Sequence, residues 1–327
     1  MHCCAGPCED DLLAVAAGCP ALTILDVEHN RGWVTERGLV ALARACPQLQ
    51  IVDLSDCDAG ATDAVLDALG EGCGPSLKFL GVSGCGNVGA PALARLARRC
   101  PQLHELHAGR CGAVDDGVLR ALAVSCPRLR LLNINDGGGG VSEPALRALV
   151  AGCPALRSLL AASCAAGVTD GLLRALAQRL PGLESLCVSA CAAGVTEGAL
   201  LELAAGCKHL RYLDVSYNPL VTDKAVQAVA GACSQVRLIG CDCGLCLISR
   251  HRRALAQLEW LHANLCDRVT TQGLLGAVQK ARARSIDDDM ARSVSDASFP
   301  RAGCLLHAAH RVGQGAGACV RHLLSGG

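Results

Sequence analysis

Cys46-Pro-Gln-Leu-Gln-Ile-Val-Asp-Leu-Ser-Asp-Cys57 is the stretch that decides how this chain is read. Its first cysteine is taken as slot 0. Leucine follows at slot 3, apolar residues stand at slots 6 and 8, and a second cysteine closes the stretch at slot 11. Slots 6 and 8 alternate with slots 7 and 9, the two-residue period of a strand with one buried face. The frame returns from Cys153 to Cys164 and from Leu180 to Cys191. Slot 0 is cysteine at Cys19, Cys46, Cys73, Cys100, Cys126, Cys153, Cys207 and Cys233. The gaps are 27, 27, 27, 26, 27, 54 and 26 residues, and Leu180-Pro181 fills the double one. Such a period predicts stacked units, each completing the apolar face of the next.

The second half of each unit reads as a helix. Val34-Thr35-Glu36, Thr62-Asp63, Val141-Ser142-Glu143, Val168-Thr169-Asp170, Val195-Thr196-Glu197 and Val221-Thr222-Asp223 each precede an apolar pattern of helical spacing, such as Leu172, Leu173 and Leu176. A hydroxyl residue followed by an acid at that place signals a helix N-terminus. Each unit is thus a short strand, a turn and a helix, with strands forming one parallel sheet and helices the opposite layer. Ten units are expected, starting at the eight cysteines, at Leu180 and at Leu255. Residues 1–18 read as a leading half-repeat or cap whose helix is Glu9 to Gly18, and residues 19–280 as the repeats. Residues 281–327 lose the period and read as a tail of low order, with a short helix near Cys304 to Val312.

Composition narrows the classes. Lys+Arg and Asp+Glu are both 30, so no global field favours nucleic acid or an anionic membrane. Aromatic content is only 2%, leaving Leu, Ala, Val and Cys to fill the core. The 23 cysteines fall in fixed slots of an apolar pattern, unlike the loop cysteines of a disulfide scaffold. Without a visible secretory signal, a reducing compartment, cytoplasmic or nuclear, is expected. Fourteen cysteines occupy slot 0 or slot 11 and are read as core: the eight above with Cys57, Cys85, Cys111, Cys164, Cys191 and Cys266.

Cys-Pro-x-Leu-x-x-Leu-x-Leu-Ser-x-Cys followed by Val/Ile-Thr-Asp resembles the cysteine-containing leucine-rich repeat, across roughly residues 9 to 280. This is the repeat of F-box/leucine-rich-repeat substrate receptors and of antagonist-of-mitotic-exit proteins. The resemblance implies an α/β leucine-rich-repeat solenoid, a horseshoe with a parallel concave sheet and outer helices. It also implies a non-enzymatic substrate-recognition adaptor of SCF-type ubiquitin-dependent degradation, with a cullin ligase as partner. The 18 residues before Cys19 are too few for an F-box, so the resemblance stops at the repeats. The alternative is a stand-alone repeat scaffold or sensor fragment with no ligase link.

In such a solenoid slots 5 and 7 point away from the core. Slot 5 collects Ile24, Phe79, Tyr212 and Trp260, and slot 7 collects Asp26, Asp53, Asp214 and His262. Aromatic residues are enriched where binding energy concentrates. One protein-binding site is expected from Tyr212, Asp214, Tyr217, Trp260 and His262. A second, acidic and apolar, is expected from Ile24, Asp26, Glu28, Asp53 and Asp56 and suits a basic peptide. The alternative is that the aromatics cap a terminal unit or lie under the tail. Cys241, Cys243, Cys246 and His251 have the spacing of a zinc clip. One of these cysteines serves equally as the slot-11 residue of a degenerate unit, so no metal or cofactor is expected. No spacing suggests a nucleophile with its base, and no glycine stretch has the ending of a phosphate loop.

Overall fold

The computed structural model describes residues 9–30, 34–137, 140–191, 194–233, 238–240 and 260–262, all within one compact unit, Met1–Asp287. The second unit, Asp288–Gly327, the tail expected over 281–327 and the zinc-like cluster lie outside the described residues.

The chain alternates helix and strand: α1 (Glu9–Gly18), β1 (Ile24–Asp26), α2 (Glu36–Ala45), β2 (Ile51–Asp53), α3 (Asp63–Gly72), β3 (Phe79–Gly81), α4 (Ala90–Arg99), β4 (Glu105–His107), α5 (Asp116–Ser125), β5 (Leu131–Asn133), α6 (Glu143–Gly152), β6 (Ser158–Leu160), α7 (Asp170–Arg179), β7 (Ser185–Cys187), α8 (Glu197–Gly206), β8 (Tyr212–Asp214), α9 (Asp223–Ala232), β9 (Leu238–Gly240) and β10 (Trp260–His262). The strands form one parallel sheet in chain order, β1 to β10. Every strand occupies slots 5 to 7, and the register matches slot to slot: Ile24 to Ile51 to Phe79, and onward to Tyr212, Leu238 and Trp260.

Three residues are a short strand, and hydrogen bonds beyond it extend the ladder. The slot-8 amide donates to the slot-7 carbonyl of the next unit, as in Val27 to Asp53 at 3.0 Å and Ala161 to Cys187 at 2.8 Å. The slot-10 amide donates to the next slot-9 carbonyl, as in Asp56 to Ser83 and Ala190 to Ser216, both at 2.8 Å. Each unit therefore satisfies its turn through its neighbour.

The core lies between sheet and helices. The slot-6 row (Leu80, Leu106, Leu132, Leu159 and Leu186) is fully buried, as is the slot-3 row at Leu49, Leu77, Leu103 and Leu129. Each such leucine contributes about 1.5–3 kcal/mol, and only when stacked against the adjacent unit. The helices bury one stripe; α7 buries Leu172, Leu173, Ala175 and Leu176.

Four of the six expected caps form; Thr62 and Ser142 stand at the N-cap without a side-chain bond to their own helix. Thr35, Thr169, Thr196 and Thr222 accept at the N-cap from the amides of Gly38, Leu172, Ala199 and Ala225. The acid that follows each cap reaches the next unit. Thr62 donates to Glu36 at 2.6 Å, Ser142 to Asp116 at 2.7 Å, Thr169 to Glu143 at 2.7 Å and Thr196 to Asp170 at 2.7 Å, while Thr222 donates to Glu197. The Thr-Asp pattern thus caps one helix and ties the next to it. The Ser142 hydroxyl, and then its amide, hold the Asp116 carboxyl below the usual range; Thr222 and then Lys224 do the same for Glu197.

The cysteines behave as thiols that pack and donate. Most slot-0 sulfurs reach the slot-0 carbonyl of the previous unit, as in Cys46 to Cys19 at 3.3 Å, Cys153 to Cys126 at 3.4 Å and Cys233 to Cys207 at 3.2 Å, while Cys73 reaches Leu69 of its own helix at 3.3 Å. Slot-11 sulfurs of Cys57, Cys85, Cys164 and Cys191 reach the previous slot-8 carbonyl, as in Cys57 to Val27 at 2.8 Å and Cys85 to Leu54 at 3.0 Å, while Cys111 reaches that of its own unit, Ala108, at 3.0 Å. One assignment is corrected: Cys19 is exposed, because no described strand precedes α1 to cover its slot. Cys187, outside the repeat slots, is buried under Ser189 and Asp214, at 3.4 and 3.7 Å from its sulfur. Cys266 lies outside the described residues.

Candidate functional site

The sheet face opposite the helices carries the slot-5 and slot-7 columns. Their spacing is set by the sheet, about 4.8 Å from strand to strand. Ile24 and Ile51 lie side by side and are 55% and 36% exposed, the most open apolar pair of the column. Beside them Asp26 and Asp53 are also register partners. Like charges directly opposite on neighbouring strands are destabilising, and here the repulsion is partly offset locally. Each Asp accepts from the amide two residues on, Glu28 at 3.3 Å and Ser55 at 2.9 Å. Glu28 is exposed in the turn two residues beyond β1. Ile24, Asp26, Glu28 and Asp53 are therefore brought together as expected.

Asp56 is the exception, and its assignment to the binding patch is corrected. It is 8% exposed, and its carboxylate lies 3.1 Å from His29 Nδ1 and 3.5 Å from the Arg110 guanidinium. It belongs to a slot that the alternation hides. Slot 10 is left-handed in every described unit from the first to the eighth: His29, Asp56, Gly84, Arg110, Asp136, Ser163, Ala190 and Tyr217, with φ between 53° and 71°. Only Gly84 is glycine there. A Cβ on it would lie 2.2 Å from Asp56 Oδ1, so its bareness lets Asp56 and Arg110 meet across the third unit. The sequence signal was the run of Ser-Asp-Cys, Ser-Gly-Cys and Gly-Arg-Cys before slot 11, rich in residues that tolerate positive φ.

Phe79 sits further along slot 5, its ring 5.1 Å from the His107 ring and half-buried. It is one strand beyond Ile51 and five short of Tyr212, so it joins the first patch and not the second. His107 lies 3.7 Å from Glu105, whose carboxyl is held down first by His107 and then by the charges of His104 and Arg130.

The second patch is centred on β8. Tyr212 is half-buried, with its hydroxyl 3.5 Å from Asp214 Oδ2, and Asp214 Oδ1 accepts from the Ser216 amide at 3.0 Å. Tyr217 is 37% exposed at slot 10. Trp260 and His262 fall on β10 in the columns of Tyr212 and Asp214, two strands away; their side chains lie outside the described residues. Asn218, at slot 11, takes the role of the missing cysteine. Its amide donates to Val188 O at 2.8 Å, the slot-8 carbonyl that a cysteine would reach. Asn30 holds the same slot in the first unit and donates to Val27 O at 3.0 Å. Both are small donors, which is what slot 11 asks for.

Among the described residues no group of three or more His, Cys, Asp or Glu is placed to hold a metal ion, and no helix is long and apolar enough to cross a membrane. Burial pushes the thiols up, to about 11 at Cys73 and about 12 at Cys126 and Cys207, so they are neutral at physiological pH. What the described surface offers is two side-chain columns of fixed pitch.

The fold is that of a leucine-rich-repeat solenoid, with cysteine in its slots 0 and 11. A family model described as Leucine Rich repeat matches residues 206–230, from the end of α8 through β8 into α9. A crystal structure of the Rad7 and Elc1 complex in yeast holds a chain similar to this one, with a TM-score of 0.55 and 18% identity. The match covers 72% of this chain and 66% of that one, so this chain spans just under two thirds of that length. The leucine-rich repeat-containing protein LegL7 from Legionella pneumophila matches with a TM-score of 0.43 and 12% identity, over 71% of this chain and 87% of that one. An internalin, inlF, from Listeria monocytogenes matches with a TM-score of 0.39 and 14% identity, over 83% of this chain and 92% of that one. No curated protein matches the sequence.

Proposed function

We propose that the protein is a non-enzymatic scaffold that holds a protein partner on its sheet face. The observation that carries this is the first patch. Exposed Ile24 and Ile51 lie against a paired row of like charges, Asp26 and Asp53, whose repulsion does nothing for the fold. An apolar strip flanked by carboxylates suits a partner segment with apolar anchors and basic neighbours. Tyr212, Asp214 and Tyr217, with Trp260 and His262 in register, form a second contact of the same partner or of another.

The finer reading is a substrate-recognition adaptor in SCF-type, ubiquitin-dependent degradation, working in the cytoplasm or nucleus. It is supported by the repeat's resemblance to that of F-box/leucine-rich-repeat substrate receptors. The similar yeast chain belongs to a complex of two proteins, Rad7 and Elc1, as a scaffold reading calls for. The test is affinity capture of the tagged chain from its native extract, read by mass spectrometry. Recovery of a cullin with its F-box-binding adaptor is expected. Their absence, with another protein held in stoichiometric amount, leaves the scaffold and removes the ligase. Capture that survives both Asp26→Ala with Asp53→Ala and Tyr212→Ala with Trp260→Ala removes the sheet-face site.

A further inference from the structure

We propose that the edge of the sheet where the strands begin is a second interaction surface, which takes an acidic, helical segment of a protein partner through Lys78, His104, Arg128 and Arg130. Slot 4, the residue before each strand, runs Gln50, Lys78, His104, Arg130, Arg157, Glu184 and Arg211. The row is built into the backbone ladder. Each slot-4 amide donates to the slot-4 carbonyl before it: Lys78 to Gln50 at 2.8 Å, His104 to Lys78 at 2.7 Å, Arg130 to His104 at 2.7 Å, Arg157 to Arg130 at 2.8 Å. Its pitch is therefore fixed before any partner arrives, and little ordering cost remains in the backbone.

The charges in the middle of this row are not cancelled. Arg157 lies 3.5 Å from Glu184, and Arg211 lies 3.9 Å from the same carboxylate. Lys78 meets a neutral partner instead, Gln50 Oε1 at 2.8 Å, and Arg128 donates to Gln102 Oε1. Among the described residues no carboxylate lies in an ion pair with Lys78, Arg128 or Arg130, and all three are exposed. The acid in electrostatic reach of Arg130 is Glu105, whose nearest partner is His107. His104 senses the result: partial burial, then Arg130, Lys78 and Arg128, hold its pKa below the ordinary histidine value. It is kept neutral in a field of three cations. Several cations of the helix layer are instead spent in pairs between helices, as Arg95 with Asp67 at 2.8 Å and Arg174 with Glu202 at 3.1 Å.

Spacing and chemistry select the occupant. The row repeats about every 4.8 Å, the distance between strands. Carboxylates placed alternately three and four residues apart on one helix face rise on average about 5.3 Å per step and stay within about 1.5 Å of the row over three units. Same-side residues of an extended chain repeat at about 6.7 Å and fall out of step. Single-stranded nucleic acid would want aromatic faces along a basic groove. The ring beside the row, Phe79, is packed on His107.

The test is fluorescence anisotropy with a fluorescein-labelled peptide repeating Glu-Ala-Ala-Glu-Ala-Ala-Ala. Comparison probes are a peptide alternating Glu and Ser and a labelled oligothymidine of equal charge. The helical peptide is expected to bind best and to weaken as salt rises. The variant Lys78→Ser with Arg130→Ser should bind it about tenfold less tightly, the scale of two or three exposed ion pairs. Both sites are exposed, and unchanged far-UV circular dichroism checks that the variant folds. Tyr212→Ala, which tests the sheet-face site, should leave this binding untouched, so the two readings fail separately. No binding, equal binding by the double variant, or tighter binding of the oligothymidine overturns the proposal.

Discussion

Raising the pH should unfold this protein abruptly near pH 10, and the buried cysteines set where. Eight thiols (Cys73, Cys85, Cys126, Cys153, Cys164, Cys191, Cys207 and Cys233) are pushed up to between about 11 and about 12, from an ordinary value of 9.0. Cys100 is pushed further in the same direction. The first cause in every case is burial. All nine are at most 3% exposed, so solvent does not screen the effect. Above about pH 9 the unfolded chain releases thiol protons that the folded chain keeps, so the unfolded state binds fewer protons and stability falls with rising pH. Stability that is complete below the unfolded value is lost as pH climbs toward the folded ones. At pH 10 each group costs about 1.4 kcal/mol, and nine together on the order of 10 kcal/mol. A native domain has about 5–15 kcal/mol to lose.

The assay follows far-UV circular dichroism and thiolate absorbance together, from neutral pH to about pH 11 under reducing conditions. Interference is small, since the chain has only two tyrosines. Both signals should change in one cooperative step. The slope of unfolding free energy against pH, from urea titrations, should fall by about a fifth in Cys126→Val with Cys153→Val, which removes two of the nine groups. Thiolate rising smoothly through the ordinary cysteine range, with the dichroism intact, would refute the reasoning. The slots would then be open to water, and cysteine would not be filling the core.

Four further outcomes are expected. A thiol reagent at neutral pH should label Cys19 quickly and the thirteen other described cysteines only at the rate of unfolding, as mass spectrometry of the digested protein would show. Thr196→Val removes both the cap on Ala199 and the bond to Asp170 at 2.7 Å and should cost about 1–2 kcal/mol in urea unfolding. Gly152→Ala should cost about 1–3 kcal/mol, because its Cβ would lie 2.0 Å from the Ala123 carbonyl oxygen and force two helices apart. Asp116 and Glu197 are held below the carboxylate range, so the stability they confer is present at neutral pH and lost as pH falls through their folded values. Ser142→Ala should make the melting temperature less sensitive to acid over that window.

The strand register was legible because period-two alternation and cysteine spacing fix the same frame. Pairing Ile24 with Ile51 and Tyr212 with Leu238 required only that every unit start its strand at slot 5, which the sheet does. The helix N-termini were legible for the same reason, since a hydroxyl residue and an acid recur at one offset. Positions whose role is set by a neighbouring unit were not. Asp56 reads in sequence as one more carboxylate of an acidic patch. Its burial depends on a left-handed turn, a bare Gly84 one unit on and Arg110 two units on, none of which alternation encodes. Cys19 reads as core because its slot is core in the units that follow, yet it is exposed, with no described unit before it. The slot-4 cations escaped notice because they are scattered along the chain, never clustered. Lys78, His104 and Arg130 become one feature only when stacking turns a separation of 26 residues into one strand spacing. In a solenoid the fold is written along the repeat and the binding surface across it. A single sequence therefore yields the first by counting, and the second only after its rows are laid side by side.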